Sequence, residues 1–278
     1  MLGGLFLQRF SKNRPALFGA IVLLSLIVLA TVAPYISQYD PLAMGAGSNF
    51  ATPSWNYPMG TDDLGRDVLS GVLYGGRVSL LIGFMAALTS AVVGIPVGVF
   101  SGFFGGVVDD ILMRITEFFQ TLPSFILAMI MTAVFRPSIW NIVLVLGLVT
   151  WPVTARLVRV EYMSLKEREF VQAAKTIGAS DVRIALSEIL PNATPPIIIN
   201  GSLQVGYAIL IEAGLSFIGL GDPNVVSWGI MLYNAQSFLR MAPWMAIFPG
   251  LAIFLAVLSL NLVGDGLNDA LNPKLRET

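Results

Sequence analysis

Glu169-Phe-Val-Gln-Ala-Ala-Lys-Thr-Ile-Gly178, continued by Ala179-Ser-Asp-Val-Arg-Ile-Ala-Leu-Ser-Glu-Ile-Leu-Pro191-Asn192, is a polar, helix-forming stretch set between long apolar runs. Phe170, Val171, Ala174 and Ile177 recur at i, i+1, i+4 and i+7, which puts them on one helix face, while Lys166, Arg168, Glu169 and Lys175 fall largely elsewhere. Ser164 followed by Glu167 is a capping-box pattern and Gly178 suits a left-handed cap, so the spacing predicts a helix over 165–177. Ser180 then caps a second helix, which Pro191 ends. An apolar face outside a bilayer needs a cover, and both the ends of the chain's own helices and the lipid interface are open to it.

Outward from this stretch the chain reads as lipid-embedded. A helix needs about 20 mainly apolar residues to cross the hydrocarbon, and six runs qualify: 16–36, 78–103, 111–135, 139–157, 197–220 and 244–263. The first follows Arg9, Lys12 and Arg14 but is too long for a signal-peptide core, so it is read as an uncleaved anchor. Lys and Arg in short loops collect on the cytoplasmic side. That rule puts the N-terminus inside, and six spans then place the segment carrying Arg156, Arg159, Lys166, Arg168, Lys175 and Arg183 inside as well, together with the tail bearing Lys274 and Arg276. The first outer segment carries only Arg66 against Asp40, Asp62, Asp63 and Asp67. Pro96, Pro123, Pro152 and Pro195-Pro196 predict kinks in the spans, and Gly83, Gly94 and Gly98 predict close helix contacts.

Composition agrees with this reading and removes other functions. Of 278 residues 55% are hydrophobic and 12% charged, about half the charged share of soluble domains. Mean hydropathy is +0.77 and net charge is −1, which offers no polyelectrolyte surface for a nucleic acid. The chain has no Cys and no His, so thiolate nucleophiles, imidazole bases and His/Cys metal sites are out of reach. Asp62, Asp63 and Asp67 lack the spacing of a Ca²⁺ loop, and no metal is predicted. Lys12, Lys166, Lys175 and Lys274 are the only lysines and none follows a glycine, so the chain has no P-loop to bind ATP.

Ionisable groups inside spans are costly, about 2.5–3.5 kcal/mol each on insertion scales. Arg114, Glu117 and Glu212 therefore stand out as pathway or interhelical residues. Glu212 is the strongest of them, with a hydrogen-bonded helix contact as its plainer reading. Arg114 and Glu117 are three apart on one face and would pair with each other.

The polar stretch 169–192 also carries a resemblance. Gln172-Ala-Ala174, Gly178 and Leu190-Pro191 are spaced like the coupling motif of ABC-importer permeases. Met59-Gly-Thr-Asp-Asp-Leu-Gly-Arg-Asp-Val-Leu-Ser70, Gly102-Phe-Phe-Gly-Gly106 with Asp109 and Arg114, Glu212-Ala-Gly-Leu-Ser-Phe-Ile-Gly-Leu-Gly221, and Gly264-Asp-Gly-Leu-Asn-Asp-Ala-Leu-Asn-Pro273 extend it. Together they resemble the dipeptide/oligopeptide/nickel permease family, second-permease type, over roughly Pro15 to Pro273. Glu188, Asn268 and Asn272 replace the His, Arg and Asp usual there.

The resemblance implies an all-α integral membrane protein with six transmembrane helices in the type I ABC importer permease architecture. It implies a cytoplasmic segment 1–15, a first helix 16–36, an extracytoplasmic segment 37–76, a permease domain 77–264 with a coupling loop 158–192, and a cytoplasmic tail 265–278. Glu169, Phe170, Val171, Gln172, Ala173, Ala174, Gly178, Ala179, Leu190 and Pro191 would contact the ATPase. The implied function is a non-catalytic subunit of a bacterial inner-membrane importer, for di- or oligopeptides, with nickel chelates or oligosaccharides as the alternative cargo. Its partners would be a second homologous permease, two ABC ATPase subunits that bind ATP and Mg, and an extracytoplasmic substrate-binding protein, all acting around the lipid bilayer and none involving nucleic acid. A secondary carrier would have no use for the coupling motif, and a membrane enzyme fails on residue inventory. An exporter would normally be fused to its ATPase.

Overall fold

The computed structural model describes residues 10–135 and 137–271. Arg9, Asn272, Lys274 and Arg276 lie outside them. The elements are α1 (Arg14–Ile36), α2 (Val68–Phe104), α3 (Gly106–Thr121), α4 (Ser124–Val134), α5 (Ile139–Lys166) and α6 (Glu169–Thr176). They continue with α7 (Asp181–Phe217), α8 (Trp228–Ala235), a 3₁₀ turn at Gln236–Phe238 and α9 (Trp244–Leu271). Among the described residues the only extended pairing is one bridge between Thr61 and Asp67. The molecule is therefore an all-helical bundle whose helices α1, α2, α5, α7 and α9 are long and apolar enough to cross a membrane.

Small residues let the central helices approach closely. Gly94, Gly98 and Gly102 recur every fourth position on α2 and face α5, where a Cβ at Gly98 would stand 2.5 Å from the Ala155 carbonyl oxygen. On α1, Asn13 caps its helix through the Ala16 N–H at 3.1 Å and donates from Nδ2 to Asp269 Oδ2 at 2.8 Å. The start of α1 and the end of α9 thus share one side of the bundle. Both α2 and α7 have 37 residues, about 55 Å at 1.5 Å per residue, well beyond the roughly 30 Å of hydrocarbon. Their ends carry the sites outside it.

The kink expected at Pro123 is a sharp one, since the run 111–135 is a broken pair of helices, α3 and α4, bent by 83°, while two other expectations, at Ser164 and at Pro191, are corrected. Pro123 offers no N–H and holds Leu122 in an extended conformation, φ −92° and ψ 135°, so the helix cannot run through. The Ser164–Glu167 pattern does not begin a helix. Instead α5 continues to Lys166 because Tyr162 is buried beneath it and Lys166 reaches back to α2, and Arg168, extended at φ −74° and ψ 150°, becomes the cap of α6. Pro191 does not end its helix either. It sits inside α7 just after a π-type segment, Ile184–Ile189, in which the Leu190 N–H reaches the Ala185 carbonyl. The wider turn accommodates a ring that lacks an N–H and would crowd the carbonyl four residues back.

Candidate coupling site and buried polar clusters

Eight residues are too few for a helix to be stable alone, so α6 depends on its ends and its underside. At its C-terminus Gly178 takes φ +79°, the Ala179 N–H reaches the Ala174 carbonyl at 3.1 Å and the Gly178 N–H reaches that of Lys175 at 3.0 Å. This pair of bonds is the Schellman arrangement, which needs a left-handed residue at the Gly178 position. Underneath, Val171 and Ala174 are buried in a cluster with Phe103, Val158, Tyr162, Ile184 and Ile189. The chain's own helix ends therefore cover part of the apolar face. They leave Phe170 at 38%, Ile177 at 82% and Val182 at 67% exposure, with Glu169, Gln172, Ala173 and Gly178 also exposed and Ala179 and Leu190 half-buried. Pro191 is exposed on the α7 side of the same platform.

The platform is held by polar contacts that local patterning does not reveal. Tyr162 donates its hydroxyl to the Ala185 carbonyl at 3.0 Å, so α5 is bonded to the π-type turn. Lys166 Nζ donates to the Phe103 carbonyl at 2.5 Å and lies 5.6 Å from the centre of that ring, which closes the last turn of α2. Asp109 in the first turn of α3 receives Arg159 Nε and Nη2, each at 2.5 Å, and also the Ser101 hydroxyl. Three helices, α2, α3 and α5, meet on that carboxylate. Asp109 is legible in its motif, but Arg159 reads only as one more positive charge until the fold brings the two together.

Glu212 is 1% exposed. It accepts hydrogen bonds from Ser216 at 2.7 Å, Ser227 at 2.8 Å and Ser79 at 3.5 Å. Ser227 also caps α8 through the Ile230 N–H, and the Ser79 oxygen accepts the Trp228 N–H. The carboxyl group thus ties α2, α7 and α8 together. Arg114 and Glu117 stand apart on the exposed side of α3, and no ion pair joins them. A second buried polar group, invisible in the sequence because it spans three helices, links Ser90 to Thr154 and Asn200 to Thr154, each at 3.2 Å, and Gln204 to the Thr150 carbonyl at 3.3 Å.

At the other end of α2 from this platform lies a cavity of about 420 Å³. The segment between α1 and α2 forms one wall, with Asp62, Asp63 and Arg66, and Asp67 stands at the cap of α2. Residues from Gly219 to Asn234 close the other side.

Known proteins share this architecture. Residues 94–277 match the family described as binding-protein-dependent transport system inner membrane component, and residues 2–53 match the N-terminal TM domain of oligopeptide transport permease C. The dipeptide transport system permease protein DppC of Alkalihalophilus pseudofirmus is 38% identical over 97% of this chain and 89% of its own length. The oligopeptide transport system permease protein OppC of Bacillus subtilis is 37% identical over 97% of this chain and 88% of its own. A chain of the MetNI methionine ABC transporter in an inward-facing conformation superposes with a TM-score of 0.60 at 20% identity, over 73% of this chain and 96% of that one. That likeness shows the type I importer fold, and the family match and the relatives give the membership. This chain belongs to the family of binding-protein-dependent transport system inner membrane components, the permeases of ABC importers.

Proposed function

We propose that this chain is one of two permeases of a bacterial inner-membrane importer for di- or oligopeptides. The observation that carries the reading is near-full-length similarity to several permeases named for dipeptide, di/tripeptide and oligopeptide transport, at 37–38% identity. A homologous second permease forms the pathway with it, two ATPase subunits hydrolyse ATP, and an extracytoplasmic binding protein delivers the peptide. The chain itself is non-catalytic and works as a conduit and lever. Its N- and C-termini face the cytoplasm, a reading that the distribution of Lys and Arg supports.

In this reading α6 is the contact with the ATPase. Exposed Phe170 and Ile177 insert into a groove, Ala173 permits close approach, and buried Val171 and Ala174 pass the displacement to α5 and α7. Closure of the ATPase pair then rocks the bundle between inward-open and outward-open states.

The chain contains no cysteine, so an introduced one is unique. Ala173→Cys should form a disulfide with a cysteine placed in the ATPase groove and should lose transport when bridged, restored by reduction. Absence of any such crosslink across a set of groove positions, in a complex that still transports, would remove α6 from the interface.

A further inference from the structure

The cavity at the outer end of α2 has a charge arrangement that the described residues leave incomplete. Its wall holds three carboxylates, Asp62, Asp63 and Asp67, against the single guanidinium of Arg66. Arg66 is committed to Asp62, with Nε at 2.5 Å from Oδ2, and approaches Asp63 only to 3.9 Å. Asp67 is 5% exposed. Its Oδ2 accepts from the Ser70 N–H at 2.8 Å and the Ser70 hydroxyl at 2.5 Å, while its Oδ1 has no hydrogen-bond partner, and neither has Asp63 Oδ1. Buried carboxylate oxygens normally find donors, because an unpaired one forfeits its solvation without return. The rest of the wall is mainly apolar, including Leu64, Val68, Val226 and Ile230, with Tyr233 and Asn234 as its other polar side chains.

A mainly apolar cavity with two under-satisfied carboxylates in its wall suits a cation on a hydrocarbon stem. We propose that the cavity is a socket for a Lys or Arg side chain of the binding protein, inserted when the loaded protein docks. The inference rests on the importer reading above. A free peptide fits less well. It is a zwitterion, and among the described residues the cavity has no uncommitted cation for its carboxylate, since Arg66 already serves Asp62. A basic side chain brings the positive charge alone.

The test uses the whole purified complex in nanodiscs, titrated with its loaded binding protein while ATP hydrolysis and the polarisation of a labelled binding protein are followed. Asp63→Asn and Asp67→Asn, singly and together, remove charge while Asn retains the helix cap at 67. The double variant should raise the half-maximal binding-protein concentration at least about tenfold with the plateau unchanged, and should flatten its dependence on salt. Replacing one Lys or Arg of the binding protein by Gln should give the same loss, and the two losses should not add. Asp40→Asn, an exposed acid of the same segment that does not line the cavity, should titrate as wild type.

A double variant of wild-type yield that titrates unchanged at low salt overturns the socket. So does an unchanged titration accompanied by loss of direct peptide binding, which would make the cavity a substrate subsite. If no binding protein stimulates even the wild-type complex, the importer reading fails and the socket falls with it.

Discussion

Glu212 shows how costly a polar group can be inside a bilayer protein and what makes it tolerable. Three hydroxyls converge on it, and two of them also serve α8, so removal of the carboxyl group strands several donors at once. Glu212→Ala should destabilise the chain in detergent by on the order of 3 kcal/mol, from unpaired groups and a cavity together. Glu212→Gln should cost about 1 kcal/mol, because hydroxyls can turn to match an amide. Thermal unfolding of the two variants checks the order, and equal losses for Gln and Ala would show that the charge and not the network matters. Gly178 is a purely conformational case. A Cβ there meets nothing within 4 Å, so Gly178→Ala tests the left-handed φ alone. It should weaken the end of α6 by about 1–2 kcal/mol and lower transport per ATP hydrolysed. Gly178→Pro, whose ring cannot reach φ +79° and which removes the bond to the Lys175 carbonyl, should abolish coupling.

At the scale of elements, α6 is a short helix borrowed from the bundle beneath it. Val171 is its main anchor, fully buried against the ends of α5 and α7. Val171→Asp should release the helix, seen as hydrogen exchange of residues 169–178 becoming at least about tenfold faster, while the interiors of α2 and α5 stay protected. Unchanged exchange would mean that the Schellman end alone holds α6. The same element shows what was legible in the sequence. The apolar positions 170, 171, 174 and 177 and the cap at Gly178 follow from local spacing and stand where expected. The helix start does not, because Lys166 is drawn onto α5 by a carbonyl 63 residues away, and no local pattern encodes that. Pro123 reads as a kink and Pro191 as a helix end, yet the first breaks the chain by 83° and the second is absorbed in a π-type turn. The difference lies in the buried surroundings of Ile184, Ala185 and Ile189. The Glu212 serines and the Ser90–Thr154–Asn200 group were hidden for the same reason, since each joins three elements distant in sequence.

For the whole molecule, hydropathy located the long apolar helices, because a bilayer forces them on any chain that crosses it. Five of the expected runs stand as single helices, and the run 111–135 makes a sixth span only if its bent pair is counted as one. What hydropathy could not supply is how the two ends communicate. The structure joins them through α2, one end of which carries Asp67 and the cavity while the other is closed by Lys166 beside α6. On the proposed reading, one continuous helix between the two sites suits a device in which docking at one end and nucleotide closure at the other bias one equilibrium. The central claim, that this chain is a peptide permease driven by separate ATPases, is tested most directly by reconstitution. The complex purified through this chain would be placed in proteoliposomes with ATP, its binding protein and a labelled di- or tripeptide. Uptake is predicted to require ATP and the binding protein, to stop when a second permease is left out, and to disappear in Gly178→Pro. Peptide uptake that persists without ATPase subunits, or a complete complex that imports no peptide with its stimulating binding protein, would contradict it.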